Sequence, residues 1–131
     1  MSLITAQTLY KTAAYLYGLT VPGHIMMGFQ VVYGALDKIP ETTFENKAGK
    51  MGARNCWDYL TAALAASALL NWQWAKTAGP QTTEELAVLV LTNATTFING
   101  VRYTSVGEYK AGLAIIAPSS ISLVAYLLQR M

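Results

Sequence analysis

Charge is scarce in this chain. Only 12% of its 131 residues are Asp, Glu, Lys or Arg and 53% are hydrophobic, against about 25% charged in an ordinary globular domain. A small soluble protein needs more charge than this to cover its surface. Sulfur and imidazole are scarcer still. One cysteine, Cys56, rules out an internal disulfide and a Cys-x-x-Cys redox pair. His24 is the single histidine, so the chain offers two N or S ligands where structural zinc takes about four. Haem held by two histidines of one chain is excluded in the same way, and no cofactor is expected. Nine basic and seven acidic side chains leave a net charge of +2, scattered without a basic stripe. That excludes nucleic acid as a partner, despite three Trp and eight Tyr that could stack on bases. The Gly-x-Ser-x-Gly elbow, the P-loop and the dinucleotide fingerprint are all missing.

The remaining sequence is a set of charge-poor runs: "TAAYLYGLTVPGHIMMGFQVVYGAL", "YLTAALAASALLNWQWA", "LAVLVLTNATTFINGV" and "AGLAIIAPSSISLVAYLLQ". Each is close to the roughly 17–25 residues that cross a bilayer core, the third with help from its flanks. The expected fold is all-α, a four-helix transmembrane bundle in one domain over residues 1–131, with spans at about 12–36, 57–75, 84–103 and 111–129. Trp57 and Tyr59 open the second run and Trp72 and Trp74 close it, as expected where rings sit at both lipid–water boundaries. Gly79-Pro80 breaks the chain before the third span. Thr82 or Thr83 can cap that span, and Glu84 and Glu85 complement its dipole. The first run is longer than a signal core and follows an amino end with little positive charge, so a retained span is expected. The acceptor-like "NAT" at Asn93 lies within a span and reads as accidental. Residues 37–50 read as a loop, with room for a short surface helix. Lys38, Lys47, Lys50 and Arg54, with Arg102 and Lys110, outweigh Lys11, Lys76 and Arg130, which puts the first and third loops in the cytosol. The expected location is integral and multi-pass, in the endoplasmic reticulum rather than the plasma membrane.

Polar side chains inside apolar spans turn toward the bundle. In span one, Tyr17, Thr20, His24 and Gly28 share a helical face, and Pro22-Gly23 is expected to interrupt the helix just before His24. His24 is either a proton-transfer group or one end of an interhelical hydrogen bond. Arg54 and Asp58 are one turn apart and precede Thr61 on the same face. They are either a helix-end ion pair or a working pair, and their order, which opposes the helix dipole, slightly raises the second reading. Thr92, Thr95, Thr96, Asn99, Arg102 and Tyr103, with Asn93 beside them, form a stripe that lines a cavity or glues helices together. Pro118, Ser119, Ser120 and Ser122 read as a mid-span kink whose hydroxyls bond the freed backbone. Glu108 and Lys110 read as a solvated loop.

The segments "GHIMMGFQVVYGAL", "GARNCWDYLTAAL" and "TFINGVRY" resemble a family of small fungal and bacterial four-span membrane proteins of mostly unknown function. Fungal proteins of similar layout are associated with secondary metabolism as membrane epoxide hydrolases or cyclases. The closest match is Gly52-Ala53-Arg54-Asn55, and the chain departs from the pattern at Asn99, where an acid would be expected. The resemblance implies acid–base opening of an epoxide on a polyketide or terpenoid that reaches the site from the lipid. Asp58, held by Arg54, and His24 are then the catalytic candidates. Asn99 and Arg102, with Asn93, Thr96 and Tyr17, are the substrate-binding candidates. A non-catalytic membrane subunit whose small-residue faces dock partner helices, possible homo-oligomers included, is the alternative, followed by a small transporter component.

Overall fold

The computed structural model describes residues 5–131. It is all-helical, with α1 (Ala6–Asp37), α2 (Phe44–Thr77), α3 (Thr83–Ser105) and α4 (Tyr109–Arg130). Thr43 caps α2, its hydroxyl accepting from Asn46 N at 3.3 Å. Thr82 rather than Thr83 caps α3, accepting from Glu85 N at 3.1 Å while the Glu85 carboxylate accepts from Gln81 N at 2.6 Å. Two reciprocal bonds of this kind satisfy amide groups that a helix start leaves free. Between α2 and α3 the chain reverses through Ala78 (φ 56°) and Gly79 (φ 104°), a left-handed pair that ends α2 just before Pro80.

Two expectations change. Residues 37–50 are mostly helix, not loop: α2 begins at Phe44 because Thr43 supplies a cap and no proline follows it before Pro80. Pro22-Gly23 does not interrupt α1, which stays helical through both residues and loosens one turn later into a π-helical stretch, Gly28–Val32. A proline forfeits one amide bond, and a helix packed along its length tolerates that loss. Pro118 lies inside the continuous helix α4. It leaves the Ala114 carbonyl without its amide, and the Thr20 hydroxyl of α1 lies 3.3 Å from that oxygen, as well as 2.8 Å from Leu16 O.

Helix α1 packs along α2 and α4, and α4 along α3, whereas α2 and α3 approach each other little. The bundle is closed at the end holding the α2–α3 turn. There Tyr10, Trp74, Ala75, Leu89 and Ala125 bring all the helices into one core, with Tyr10 and Trp74 edge to face at 5.9 Å. At the other end the helices splay. On that side α1 and α2 also outreach their partners. Residues 28–37, beyond the first turn of α4, add about 15 Å at ~1.5 Å per residue.

Polarity is distributed inside out. Tyr17, Asn71, Ser119 and Ser122 are 1–2% exposed, while Leu19, Leu69, Leu91 and Leu113, one on each helix, are 63–72% exposed. Two helices, α1 and α4, are long and apolar enough to cross a membrane, and only 11% and 33% of their most apolar windows are buried within the protein. A core helix of a water-soluble bundle would be mostly buried.

Helices α3 and α4 cross at Gly100 and Gly112. A Cβ on Gly112 would lie 3.0 Å from Gly100 O and 2.8 Å from Thr104 Cγ2. Gly112→Val is therefore expected to destabilise by about 1–3 kcal/mol through overpacking. Gly18→Ala, with open space around it, should be neutral or slightly stabilising. Thermal unfolding in detergent checks both: a lowered midpoint for the first and none for the second.

Candidate functional site

The splayed end holds two cavities. One, of about 480 Å³, lies between α1 and α4, walled by Leu16, Thr20, His24 and Met27 on one side and by Ala111, Ala114 and Pro118 on the other. Tyr103, Glu108 and Lys110 stand at its rim in the sense of chain position, where α3 hands over to α4. The other, of about 870 Å³, lies between α2 and α3 and is walled by Trp57, Leu60 and Ala63 against Thr95, Asn99, Arg102 and Tyr103. Both volumes fall in the ~300–1,000 Å³ range of small-molecule sites. Tyr103 lines both cavities. So does a pair of stacked rings that gives one member to each: His24 and Trp57, with centroids 3.9 Å apart and planes 11° from parallel.

His24 is buried on α1. Its Nδ1 lies 2.9 Å from the Thr61 hydroxyl of α2, which itself donates to Trp57 O at 3.2 Å. A hydroxyl has one proton to give. With that proton on the carbonyl, Thr61 accepts from Nδ1–H, and the neutral imidazole carries its lone pair on Nε2. Nε2 is buried and has no hydrogen-bond partner in the protein, and the same holds for Trp57 Nε1. Gly28, where the π-helical stretch begins, makes room for the pair: a Cβ there would stand 2.6 Å from Trp57 Nε1.

Arg54 and Asp58 do not pair with each other. Arg54 Nη2 donates to Asp37 at 2.5 Å, and its guanidinium lies over the Tyr33 ring at 5.7 Å. Asp58 accepts a short hydrogen bond from the Tyr33 hydroxyl. Asp58 is solvent-exposed and lines neither cavity. The pair expected on one helix face is thus two separate links from α2 to the far end of α1, which resolves the unfavourable order of the two charges. Lys50 adds to the same group, 2.7 Å from Glu41 and 3.5 Å from Asp37. These contacts tie the projecting parts of α1 and α2 into an arm.

The structure also divides the expected substrate-binding residues. Asn99 and Arg102 reach the α2–α3 cavity, whereas His24 lines the other. Asn93, Thr96 and Tyr17 sit deeper. Asn93 Nδ2 donates to Leu89 O at 2.9 Å and the Thr96 hydroxyl to Thr92 O at 2.8 Å, each bonding its own helix. Tyr17 is buried at 1% exposure, and with Asn93 it borders a gap of only about 10 Å³. Sequence reasoning missed Trp57 and Gly28 as partners of His24, and Glu108 and Lys110 as cavity residues. The helical register of Gly28 with His24 was the available signal. Among the described residues no cluster of His, Cys, Asp and Glu could hold a metal ion.

The arm responds to pH. The Lys50 hydrogen bond holds the Glu41 carboxyl below its ordinary 4.5, and in return the Glu41 contact raises Lys50 above 10.5. A lowered carboxyl stabilises above its unfolded value and loses that contribution as pH falls through the folded one, while a raised amine loses its contribution as pH climbs past the folded value. The arm should therefore hold at neutral pH and loosen in acid. Nitroxides at Ala35→Cys and Ala48→Cys in a Cys56→Ser background should show a narrow distance distribution near about pH 7 that broadens once pH falls below the carboxylate range. Glu41→Gln should reduce the change. Compared with models of protein families, with curated proteins and with solved structures, the chain matches none.

Proposed function

We propose that this chain is a four-span membrane protein that takes a lipophilic small molecule into the α1–α4 cavity and transfers protons on it through His24. The inside-out distribution of polar groups supports the membrane setting for all the helices. Helices α2 and α3 are less apolar on average because of Asn71, Gln73, Asn93 and Asn99. Mean hydropathy, however, ignores direction. Asn71 and Thr96 face inward, while Leu69, Val90, Leu91, Phe97, Ile98 and Val101 face out. A span with a polar seam and an apolar back suits a bilayer when the seam is packed inside.

The observation that carries the chemistry is His24, a buried imidazole fixed by Thr61 through Nδ1 with Nε2 unpartnered, in the wall of an apolar cavity. Epoxide opening is the reaction class that fits. With the His24 ring turned so that its buried Nε2 meets the cavity, Nε2 takes a proton from water as the water oxygen attacks an epoxide carbon, the carbon–oxygen bond breaks, and the alkoxide receives a proton from the Tyr103 phenol. The imidazolium then returns its proton to that group, so the net change is addition of one water. With an internal hydroxyl as nucleophile the same transfers give cyclisation. Asp58, held by Tyr33 outside the cavity walls, supports the arm in this reading.

Two experiments test it. In proteoliposomes supplied with a lipophilic polyene epoxide in ¹⁸O-water, wild type should release labelled diol or the isomeric cyclic ether. His24→Gln should lose about 10²–10⁴-fold in rate with its helical circular dichroism intact, and Asp58→Asn should keep most of its activity. No turnover by wild type, or full turnover by His24→Gln, refutes the chemistry and favours a non-catalytic membrane subunit. For topology, single cysteines at Lys38 and Val106 should react with an impermeant maleimide from one side of the membrane and one at Gln81 from the other, all in a Cys56→Ser background. Labelling of Gln81→Cys from the same side as the others would refute four spans.

A further inference from the structure

We infer that the cleft between α2 and α3 binds an anionic membrane phospholipid, with an acyl chain along Leu60 and Ala63 and the head phosphate on Arg102. This site is separate from the one proposed for His24 and shares with it only the membrane setting. The cleft exists because α2 and α3 approach each other little, so it opens sideways, toward whatever surrounds the bundle. In a bilayer the molecule facing that opening is lipid.

Its one charged group stands at one end. Because α2 and α3 run in opposite directions, Asn55 in the first half of α2 and Arg102 near the end of α3 both lie toward the splayed end, beside the apolar Ala53 and Val106. Asn99 is one turn deeper, and Leu60 and Ala63 of α2 and Thr95 of α3 lie deeper still. A mostly apolar channel with a single charge at its mouth matches an amphiphile inserted head outward.

The charge at the mouth chooses the head. Arg102 is exposed and makes no ion pair among the described residues, whereas the other arginine of this end, Arg54, is bonded to Asp37. A guanidinium presents a flat fork of donors that fits a phosphate oxygen pair. A zwitterionic lipid offers the same phosphate, but its quaternary ammonium brings a second cation to the mouth and offsets part of that attraction, so the head with net negative charge is favoured. The basic residues concentrated at this end also face the leaflet that carries anionic lipid, by the positive-inside rule.

Native mass spectrometry of the delipidated protein with equimolar dioleoyl phosphatidylglycerol and phosphatidylcholine tests the assignment. Wild type should retain one phosphatidylglycerol about fivefold over phosphatidylcholine, the ratio expected for one basic contact at a membrane surface. Arg102→Gln should erase the preference, Arg102→Lys should keep part of it, and Ala63→Trp, which fills the channel, should lower retention of both lipids. Because the readout is lipid retention, wild type that keeps the preference yet turns over no epoxide separates the failure of the catalytic proposal from that of this one. Equal retention of the two lipids by wild type, or an undiminished preference in Arg102→Gln, overturns the inference. Should Ala63→Trp fail to fold, the Arg102 pair decides alone.

Discussion

A buried polar group is costly without a hydrogen-bond partner, and how this bundle meets that constraint at most positions, and leaves it unmet at His24 and Trp57, organises the structure. The recurrent answer is local. Ser67, Asn71, Asn93 and Thr96 each return a hydrogen bond to the carbonyl one turn back, so a polar seam can be buried without an interhelical network. The exceptions are therefore informative. Thr20 reaches across to the carbonyl that Pro118 sets free, and His24 reaches across to Thr61. Both join α1 to a neighbour at the level where the helices begin to part. A buried hydrogen bond between helices is most useful where side-chain packing is about to give out.

Closure at one end and splay at the other follow from side-chain size. The closed end is built from two aromatic rings fitted against alanines, Tyr10 and Trp74 against Ala75 and Ala125. Small residues there let backbones approach while the rings fill what space is left. Toward the other end the stacked imidazole and indole of His24 and Trp57 join α1 to α2, and Gly28 concedes the room they need. The openings lie on either side of that joint, between α1 and α4 and between α2 and α3, so the same pair furnishes a wall to each cavity. A change to either ring would therefore reach both.

Much of the helical plan could be read from the chain. Charge-poor runs of bilayer length marked the helices, and Gly79-Pro80 with Thr82 marked the sharpest turn. The start of α2 was hidden because a capped polar helix looks like a loop when hydropathy is the guide. Prolines misled for a related reason: local rules predict a break, but a helix held by neighbours on its flanks keeps its course, and the irregularity moved to Gly28–Val32. In the candidate site, periodicity placed Arg54 and Asp58 on one face, but it carries no information about what lies opposite that face. Asp37 is 17 positions from Arg54 and Tyr33 is 25 from Asp58. Such pairings depend on how far two helices overlap beyond the bundle, which no local pattern encodes. His24 was legible as a single imidazole in an apolar run. Its free nitrogen was not, since that depends on Thr61 directing its own proton elsewhere.

The arm formed by the far ends of α1 and α2 gives the molecule unequal shoulders. On one side of the bundle the α3–α4 connection stops at the cavity mouths, while the α1–α2 connection continues about 15 Å farther at ~1.5 Å per residue. In the membrane setting proposed above, a large molecule arriving from water would meet the taller shoulder before the cavity mouths beside it, whereas a molecule dissolved in lipid would approach from the side of the bundle.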